Sequence, residues 1–167
     1  MAYEVPALGT AGQVYTAAAH NIIVEDILNH ESRFKLHGVV TETNIFSSTA
    51  TTFAAASNIF SSSVSVVADG STTYIVEFYA SLMYINTAGQ LSVRLSVGGV
   101  ESGILVLAAL GAAQGVPTMA RVAWTPSAAT HSVNARLVVT TGTGILFAGT
   151  AGVADYFPMA LRIYGNS

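Results

Sequence analysis

The sequence contains no cysteine and very few charged residues. Without cysteine, the chain of 167 residues can form no disulfide, no thiolate metal site and no cysteine nucleophile. Charged residues make up only 9% of it, whereas an average soluble domain has roughly 25%. A domain that is dispersed as single molecules needs more surface charge than this. The scarcity therefore indicates that identical neighbours cover much of the surface.

The few basic residues form no patch that could bind nucleic acid. The net charge is -3, and a protein that binds phosphate groups needs clustered Lys and Arg. Two basic residues lie close together near the start of the chain, and the others are scattered singly. They are Arg33, Lys35, Arg94, Arg121, Arg136 and Arg162. We therefore expect no nucleic-acid partner.

The sequence also lacks a segment typical of a membrane span or a signal peptide. Residues 102–120 are uncharged and apolar, but they include three Gly, a Gln and a Pro. A spanning helix needs about 20 predominantly apolar residues, so this stretch predicts a buried strand and a loop. The first ten residues have neither the basic region nor the apolar run of a signal peptide. We expect no membrane partner.

The composition divides the chain into three regions. Residues 1–15 contain Pro6 and two glycines and are predicted to form an extended N-terminal arm. Residues 16–36 have the pattern of one amphipathic helix. Residues 37–167 are rich in Val, Thr, Ser, Ala and Gly, and are predicted to form one β-sandwich domain. The predicted fold class is therefore mainly β.

The predicted helix carries an apolar stripe that needs a partner. Thr16 is a suitable N-cap, three alanines follow it, and Gly38 stands after its end. The acidic residues of the segment lie mostly off the stripe. A heptad-like seam is formed by His20, Ile23, Ile27, His30 and Phe34. The stripe can pack against the body of the chain or against copies of itself, and we expect the seam, together with Val14 and Tyr15, to lie in an interface of an oligomer or a particle.

The domain is predicted to consist of short strands joined by tight turns. Residues 91–97 alternate strictly, with apolar side chains on one face and Ser92, Arg94 and Ser96 on the other. Gly98-Gly99 then indicates a two-residue hairpin. About eight or more strands at this spacing are typical of an antiparallel sandwich or jelly roll. The predicted strands cover residues 38–46, 50–67, 73–86, 90–97, 100–108, 118–125, 131–141, 145–150 and 156–164.

No motif in the sequence predicts catalysis or metal binding. The four histidines have no metal-binding spacing, and no serine motif of a hydrolase occurs. His131 is expected to pack at the start of a strand. The acids Asp69, Glu77, Glu101 and Asp155 are expected in turns and on outer faces rather than as a catalytic pair. We therefore expect no catalytic residue, no metal and no cofactor, and a protein that is not an enzyme.

The tyrosines of the strand predicted at 73–86 allow two interpretations. Strict alternation places Tyr74 and Tyr84 on one face of the strand and Tyr79 on the other. Tyrosine rings can form a surface that binds sugars, or they can pack in the core and in interfaces. Packing is the interpretation we favour, and a sugar-binding surface made of these aromatic residues is the alternative.

Several segments resemble virion surface proteins of tailed bacteriophages. The first combines Gly12, Thr16-Ala17-Ala18 and Asn21 with an amphipathic helix. The second has an Asp-Gly turn, the third has a Thr-Pro loop, and the fourth is a closing strand after a Pro. The segments are AGQVYTAAAHNIIVEDILNHESRF, VVADGSTTYIVEFYASL, WTPSAATHSVNARLVVTTGTGILFAG and YFPMALRIYGNS. The resemblance implies a TNF-like jelly roll, a fold that assembles as trimers.

The resemblance and the low charge together predict a structural protein at the surface of a virion. We expect a homotrimeric capsid decoration protein, tethered by its arm and helix to the major capsid protein or to a tail component. The alternative is a tail-tip or fibre protein that binds a receptor, such as a host surface glycan.

Overall fold

The described part of the chain is built from strands. The computed structural model describes residues 35–149 and 156–165. These residues form ten strands and no helix, so none of them lies in a helix that could cross a membrane. The strands are β1 (Lys35–Glu42), β2 (Phe46–Ser48), β3 (Val64–Ala68), β4 (Tyr74–Ile85), β5 (Gly89–Val97), β6 (Val100–Leu110), β7 (Gln114–Trp124), β8 (Ala129–Val139), β9 (Gly144–Phe147) and β10 (Met159–Gly165).

The strands form two antiparallel sheets that pack face to face. Sheet A has six strands in the order β1-β10-β4-β9-β2, and β7 also pairs with β4. Strands β10 and β9 pair with successive parts of β4, residues 75–79 and 82–85, while β7 pairs along most of its length. Sheet B has four strands in the order β3-β8-β5-β6. The prediction of a mainly β, antiparallel sandwich is confirmed.

Most connections of the chain cross from one sheet to the other. From β3 to β9 the chain changes sheet at every connection except the β5–β6 hairpin. As a result, β1 lies beside β3 and β6 lies beside β7 at the two sides of the sandwich. The inner faces of both sheets pack on each other, and their apolar side chains form one core.

The first strand begins before the predicted end of the helix. The sequence predicts a helix over residues 16–36, but Lys35 and Leu36 pair with Gly165 and Tyr164 in the β1–β10 ladder. Pairing with a formed strand satisfies their backbone groups and overrides the local helical pattern. The arm and residues 16–34 lie outside the described residues. So do the predicted interface residues Val14, Tyr15, His20, Ile23, Ile27, His30 and Phe34.

The β5–β6 hairpin confirms the turn predicted from two glycines. Gly98 and Gly99 have φ values of 57° and 86°, which residues with a Cβ rarely adopt. Val97 and Val100 pair across the turn. The ladder then shifts register twice along β5, so β6 is an irregular edge strand.

Strand β4 supplies much of the core and contains a change of phase. A register shift between Ala80 and Met83 inserts an extra residue into the ladder with β7. Met83 and Ile85 are therefore fully buried in the core. The strict alternation predicted from the sequence is wrong beyond Ala80, because Tyr84 lies on the same outer side as Tyr79.

The segment before β3 is mostly not a strand. The sequence predicts a strand over residues 50–67, but the regular ladder with β8 covers Val64–Ala68. Residues 50–63 follow the rest of β8 through single backbone bonds, such as that from the Ile59 N–H to the Ala135 carbonyl (2.8 Å). This run is rich in Ser, Thr and Ala, so tertiary contacts rather than side-chain alternation decide its path.

Asn134 on β8 fastens this segment. It is 2% exposed, although alternation in the sequence predicts that it faces outward. Its side-chain nitrogen donates to the carbonyls of Phe60 (3.0 Å) and Ser62 (2.8 Å), and its oxygen accepts from the Phe60 N–H (3.3 Å). These bonds hold Phe60 in the core, where its ring meets Phe78 edge-on.

His131 packs near the start of β8, as predicted. Its Nε2 lies 2.9 Å from the carbonyl oxygen of Ser127. Its ring meets Trp124 edge-on, with the ring centroids 5.5 Å apart. Trp124 in turn contacts Tyr74, and Tyr74 contacts His37. A row of rings from both sheets therefore closes one end of the sandwich.

We expect Asn134→Ala to lower the free energy of unfolding by about 2 kcal/mol, because the buried N–H and carbonyl of Phe60 and the part-buried carbonyl of Ser62 lose their partner. Urea unfolding followed by the fluorescence of Trp124 measures this loss. Ser132→Ala, at an exposed position of the same strand, is the control and should change the free energy by less than about 0.5 kcal/mol. Similar losses in the two variants would contradict the anchoring role of Asn134.

Candidate protein interaction surface

The outer face of sheet A brings apolar side chains and three charged residues together. Alternate residues of β1, β10, β4 and β7 point away from the core, and the strand registers place them in rows across the sheet. We call three of these rows the sheet A face. They consist of Leu36, Tyr164, Ile75 and Ala123, then Val39, Arg162, Glu77 and Arg121, and then Thr41, Ala160, Tyr79 and Met119.

Several apolar side chains of the sheet A face are open to solvent. Leu36 and Val39 are each 46% exposed, and Met119 is 60% exposed. Covering apolar surface is favourable by roughly 25 cal/mol per Å². Leu36 and Val39 lie on β1, and Met119 lies on β7. The half-buried Ile75 and Tyr79 of β4 lie between them. Exposed apolar surface on a soluble domain marks contacts with other proteins or ligands. The sheet A face is therefore the candidate interaction surface.

The centre of the sheet A face is a buried carboxylate with two guanidinium partners. Glu77 is 3% exposed, although its side chain points away from the core. Its Oε2 accepts a hydrogen bond from Arg121 Nε (2.7 Å), and its Oε1 accepts one from Arg162 Nη1 (2.9 Å). The two arginine side chains are 63% and 45% exposed. The cluster therefore presents an excess of positive charge to the solvent.

The two arginines keep Glu77 ionised. Burial opposes ionisation of this carboxyl, but hydrogen bonds from Arg121 and Arg162 outweigh the burial and lower the pKa of Glu77 below its ordinary value. The bond to Glu77 also raises the pKa of Arg162. A carboxylate held by two cations neither donates nor takes up a proton at neutral pH. The cluster therefore has a structural role and a role in the charge of the surface.

A groove of about 510 Å³ lies beside this ion cluster. It is lined by Ile75, Arg121, Val122, Ala123 and Tyr164. Three of these residues belong to the row that contains Leu36, so the groove lies at the end of the sandwich where β1 begins. Its lining is mostly apolar, with a guanidinium group on one side. Such a groove fits an apolar side chain that lies close to a carboxylate.

Aromatic rings extend this apolar surface along sheet A. Phe157 is 61% exposed. Ser81 fixes its backbone, since the Ser81 hydroxyl accepts from the Phe157 N–H (2.8 Å) and contacts its carbonyl oxygen (3.1 Å). Tyr84 packs edge-on against Phe147, which in turn packs against Tyr156. The apolar outer surface of sheet A is therefore larger than the sheet A face.

The three tyrosines considered as a sugar-binding surface do not lie together. Tyr74 is 3% exposed, and its hydroxyl donates to the carbonyl of Val67 (3.3 Å). Tyr79 and Tyr84 are partly exposed on the outer side of sheet A. Tyr74 thus belongs to the core, and only the other two could contact a ligand.

The other acids discussed above also have structural partners. Asp69 accepts hydrogen bonds from two backbone N–H groups in the turn that follows it, and these bonds lower its pKa. Glu101 pairs with Arg94 at 2.8 Å. Asp155 lies outside the described residues. Within residues 35–149 and 156–165, no three His, Asp or Glu side chains are grouped so that they could hold a metal ion.

The outer face of sheet B is polar at its centre. Arg94 and Arg136 lie opposite each other in the β5–β8 ladder. Arg94 Nε donates to the hydroxyl of Ser92 (2.9 Å), and the guanidinium of Arg136 stacks over the ring of Phe53 (4.6 Å). The large apolar side chains exposed on this sheet belong to its edge strands, β3 and β6. They are Val67, Val100, Ile104 and Leu107.

Sequence reasoning does not identify the cluster of Glu77, Arg121 and Arg162. Its members come from three strands, and the hydrogen-bonded pairs are 44 and 85 residues apart in the chain. The available signal is a single charged residue inside an otherwise apolar strand, as in YIVEFYA, MARVAW and ALRIYG. Three such residues of complementary charge indicate that the strands are neighbours, but they do not indicate the order of the strands.

Comparison with known proteins gives distant structural likenesses. No family model and no curated protein matches the chain. A chain of the T=1 particles derived from infectious bursal virus has 11% sequence identity and a TM-score of 0.44, over 80% of this chain and 36% of that chain. A chain of the infectious bursal disease virus Gt strain has 14% identity and a TM-score of 0.36, over 80% and 36%.

A bacterial enzyme also shows a distant likeness. The chain with the CBM22-1 and GH10 modules of Clostridium thermocellum endo-1,4-beta-D-xylanase 10B, in complex with xylohexaose, has 9% identity and a TM-score of 0.36, over 76% of this chain and 28% of that chain. The present chain thus spans about a third of the length of the solved chains that it matches. The scores are too low for these likenesses to assign a function.

We expect the ion cluster to make the stability of the fold depend on acidity. Because the pKa of Glu77 is lowered on folding, its ion pairs contribute fully to the free energy of unfolding at pH values above the ordinary pKa of a carboxyl. Their contribution is lost as the pH falls through the folded value. Glu77→Gln should therefore destabilise the protein by about 2 kcal/mol at neutral pH and reduce the further loss of stability in acid.

Urea unfolding at a series of pH values, from neutral to about pH 3, measures both effects. Glu101→Gln removes the partly exposed pair with Arg94 and is the matched control, with an expected change at neutral pH of less than about 1 kcal/mol. A Glu77→Gln protein that loses stability in acid as steeply as the wild type would contradict the role of the cluster.

Proposed function

We propose that the chain is a structural protein of a tailed-bacteriophage virion, most simply a capsid decoration protein on the particle surface. The observation that carries this proposal is the sheet A face, an apolar surface on a chain with only 9% charged residues. Such a surface suits a protein that works by binding other proteins. The segments that resemble tailed-phage virion proteins support the location in a particle.

The strand order supports a jelly roll of the TNF-like type. Without the short strands β2 and β9, the sheets are β1-β10-β4-β7 and β3-β8-β5-β6. Eight strands in two sheets whose connections repeatedly change sheet are typical of jelly rolls, a fold found in viral capsid and lectin domains. The resemblance adds the expectation that domains of this type assemble as trimers.

In the proposed homotrimer, neighbouring copies cover the sheet A face near Met119. This side chain lies opposite Tyr79 in the β4–β7 ladder, and the Tyr79 hydroxyl lies 3.2 Å from that of Ser81, which holds the exposed Phe157. In a closed ring of three, each copy contributes one patch to each of its two neighbours, and the surface near Met119 is one of these patches. The arm, residues 1–15, tethers the trimer to the major capsid protein, and the helix predicted from residue 16 joins the arm to the sandwich.

We expect the purified protein to have the mass of three chains in solution, measured by light scattering. Met119→Asp should shift the protein toward single chains, because a carboxylate would be buried without a partner in the contact between copies. Leu107→Asp is the matched control, since Leu107 is 61% exposed on sheet B, and it should leave the mass unchanged. A wild-type protein that is a single chain at all concentrations would overturn the trimer.

We expect deletion of residues 1–15 to abolish binding to capsids while the remaining protein stays trimeric. Co-sedimentation with purified capsids that lack the protein measures binding, and light scattering measures the trimer. If the shortened protein still decorates capsids, the arm is not the anchor. If the full-length protein binds host glycans rather than capsids, and Tyr79→Ala removes that binding, a tail-tip or fibre protein is the better assignment.

A further inference from the structure

The place where the N-terminal segment joins the sandwich lies next to the groove of the sheet A face. The first described residue, Lys35, begins β1 at one edge of sheet A. The next residue, Leu36, lies in the same row as Tyr164 and Ile75, which line the groove. The 34 residues that precede β1 are therefore attached directly beside an open apolar groove.

The charges of the two parts are complementary. Residues 1–34 contain four acids and one basic residue. Their acids are Glu4, Glu25, Asp26 and Glu31. The sheet A face contains two partly exposed arginines and one carboxylate, which is buried between them. An additional carboxylate near the arginines would neutralise the remaining positive charge.

Two of these acids, Asp26 and Glu31, lie at the edges of the predicted apolar stripe, and Glu31 is the one nearer to β1. On a helix, residues three or four positions apart share a face. Glu31 follows Ile27 by four positions and precedes Phe34 by three. Glu25 precedes Ile27 by two positions, so it faces away. A carboxylate among apolar side chains requires a cationic or hydrogen-bonding partner wherever the stripe is buried.

We propose that residues 16–34 dock on the sheet A face of their own chain, with the apolar stripe at the groove and Glu31 beside Arg121 and Arg162. This inference rests on the proposed function, in which other copies of the chain cover the remaining part of the sheet A face, near Met119. The direct connection to β1 favours the segment of the same chain, because the tether gives it a high effective concentration.

The length of the chain permits this contact. As a helix, the four residues from Glu31 to Lys35 rise about 6 Å, at roughly 1.5 Å per residue. Arg162 lies opposite Val39, four residues along β1 from Lys35, which corresponds to about 13 Å. If the chain turns back over sheet A at the start of β1, the helix covers about half of this distance, and the long side chains of Glu31 and Arg162 extend across the remainder.

The absence of native cysteine makes disulfide trapping in the full-length protein a direct test. One variant carries Ile27→Cys and Ala123→Cys, since Ala123 is exposed and lines the groove. The control carries Ile27→Cys and Ser65→Cys, since Ser65 is exposed on β3 of sheet B. Under mild oxidation, the intramolecular disulfide should form several-fold faster in the first variant. Non-reducing denaturing electrophoresis of samples taken over time measures the two rates. Equal rates, or a product that joins two chains, would overturn the proposal.

The role of Glu31 is tested in the same trapping variant. Glu31→Lys should slow disulfide formation several-fold, because it places a third cation beside Arg121 and Arg162. Glu25→Lys makes the same change of charge on the opposite side of the predicted helix and should have little effect. Equal effects of the two substitutions would overturn the pairing of Glu31 with the arginines.

Light scattering on the same samples separates this inference from the proposed function. A trimer in which the Ala123 pair forms no faster than the Ser65 pair would overturn the docking of the segment and leave the proposed function intact. A single chain in which the Ala123 pair forms rapidly would support the docking and overturn the trimer.

Discussion

Strand β4 is the element on which the rest of the structure depends. Among the described strands it pairs with β7, β10 and β9, so one continuous strand fixes the register of sheet A. Its inward side chains, such as Val76 and Phe78, are fully buried. Glu77, between them, points outward and binds one arginine on each side. The same alternation therefore places apolar side chains in the core and Glu77 on the surface. A register shift of one residue would turn the core side chains outward and Glu77 inward.

The parts of the fold that sequence predicts are those encoded by neighbouring residues. The alternation over 91–97 and the glycines that follow it identify β5 and its hairpin, because both signals lie within ten residues of the chain. The phase change after Ala80 and the burial of Asn134 depend on other strands, and Phe60 is 74 residues from Asn134. At the candidate site, the Glu77 cluster depends on strand order, which local patterns do not contain. The predicted contacts of residues 14–34 remain predictions.

The charged side chains in the described part of the molecule mainly form hydrogen bonds and ion pairs within the fold. Asp69 closes a turn, Glu77 joins three strands, and Glu101 joins β6 to β5 through Arg94. The surface left for contacts with other molecules is correspondingly apolar, with exposed Leu36, Val39, Met119 and Phe157 on sheet A. A chain that uses its few charges in this way has little charge left to keep its own copies apart, which agrees with the proposed assembly.

The two register shifts in the β5–β6 ladder limit how copies of the chain can associate through the edge of sheet B. A straight edge strand offers evenly spaced N–H and carbonyl groups on which a further strand can add, and charge-poor chains have little repulsion to prevent it. The shifts interrupt that spacing. Addition of a further strand to sheet B at the β6 edge is therefore disfavoured, which leaves side-chain surfaces such as the sheet A face for contacts between copies. The irregular edge thus works against fibril growth through β6.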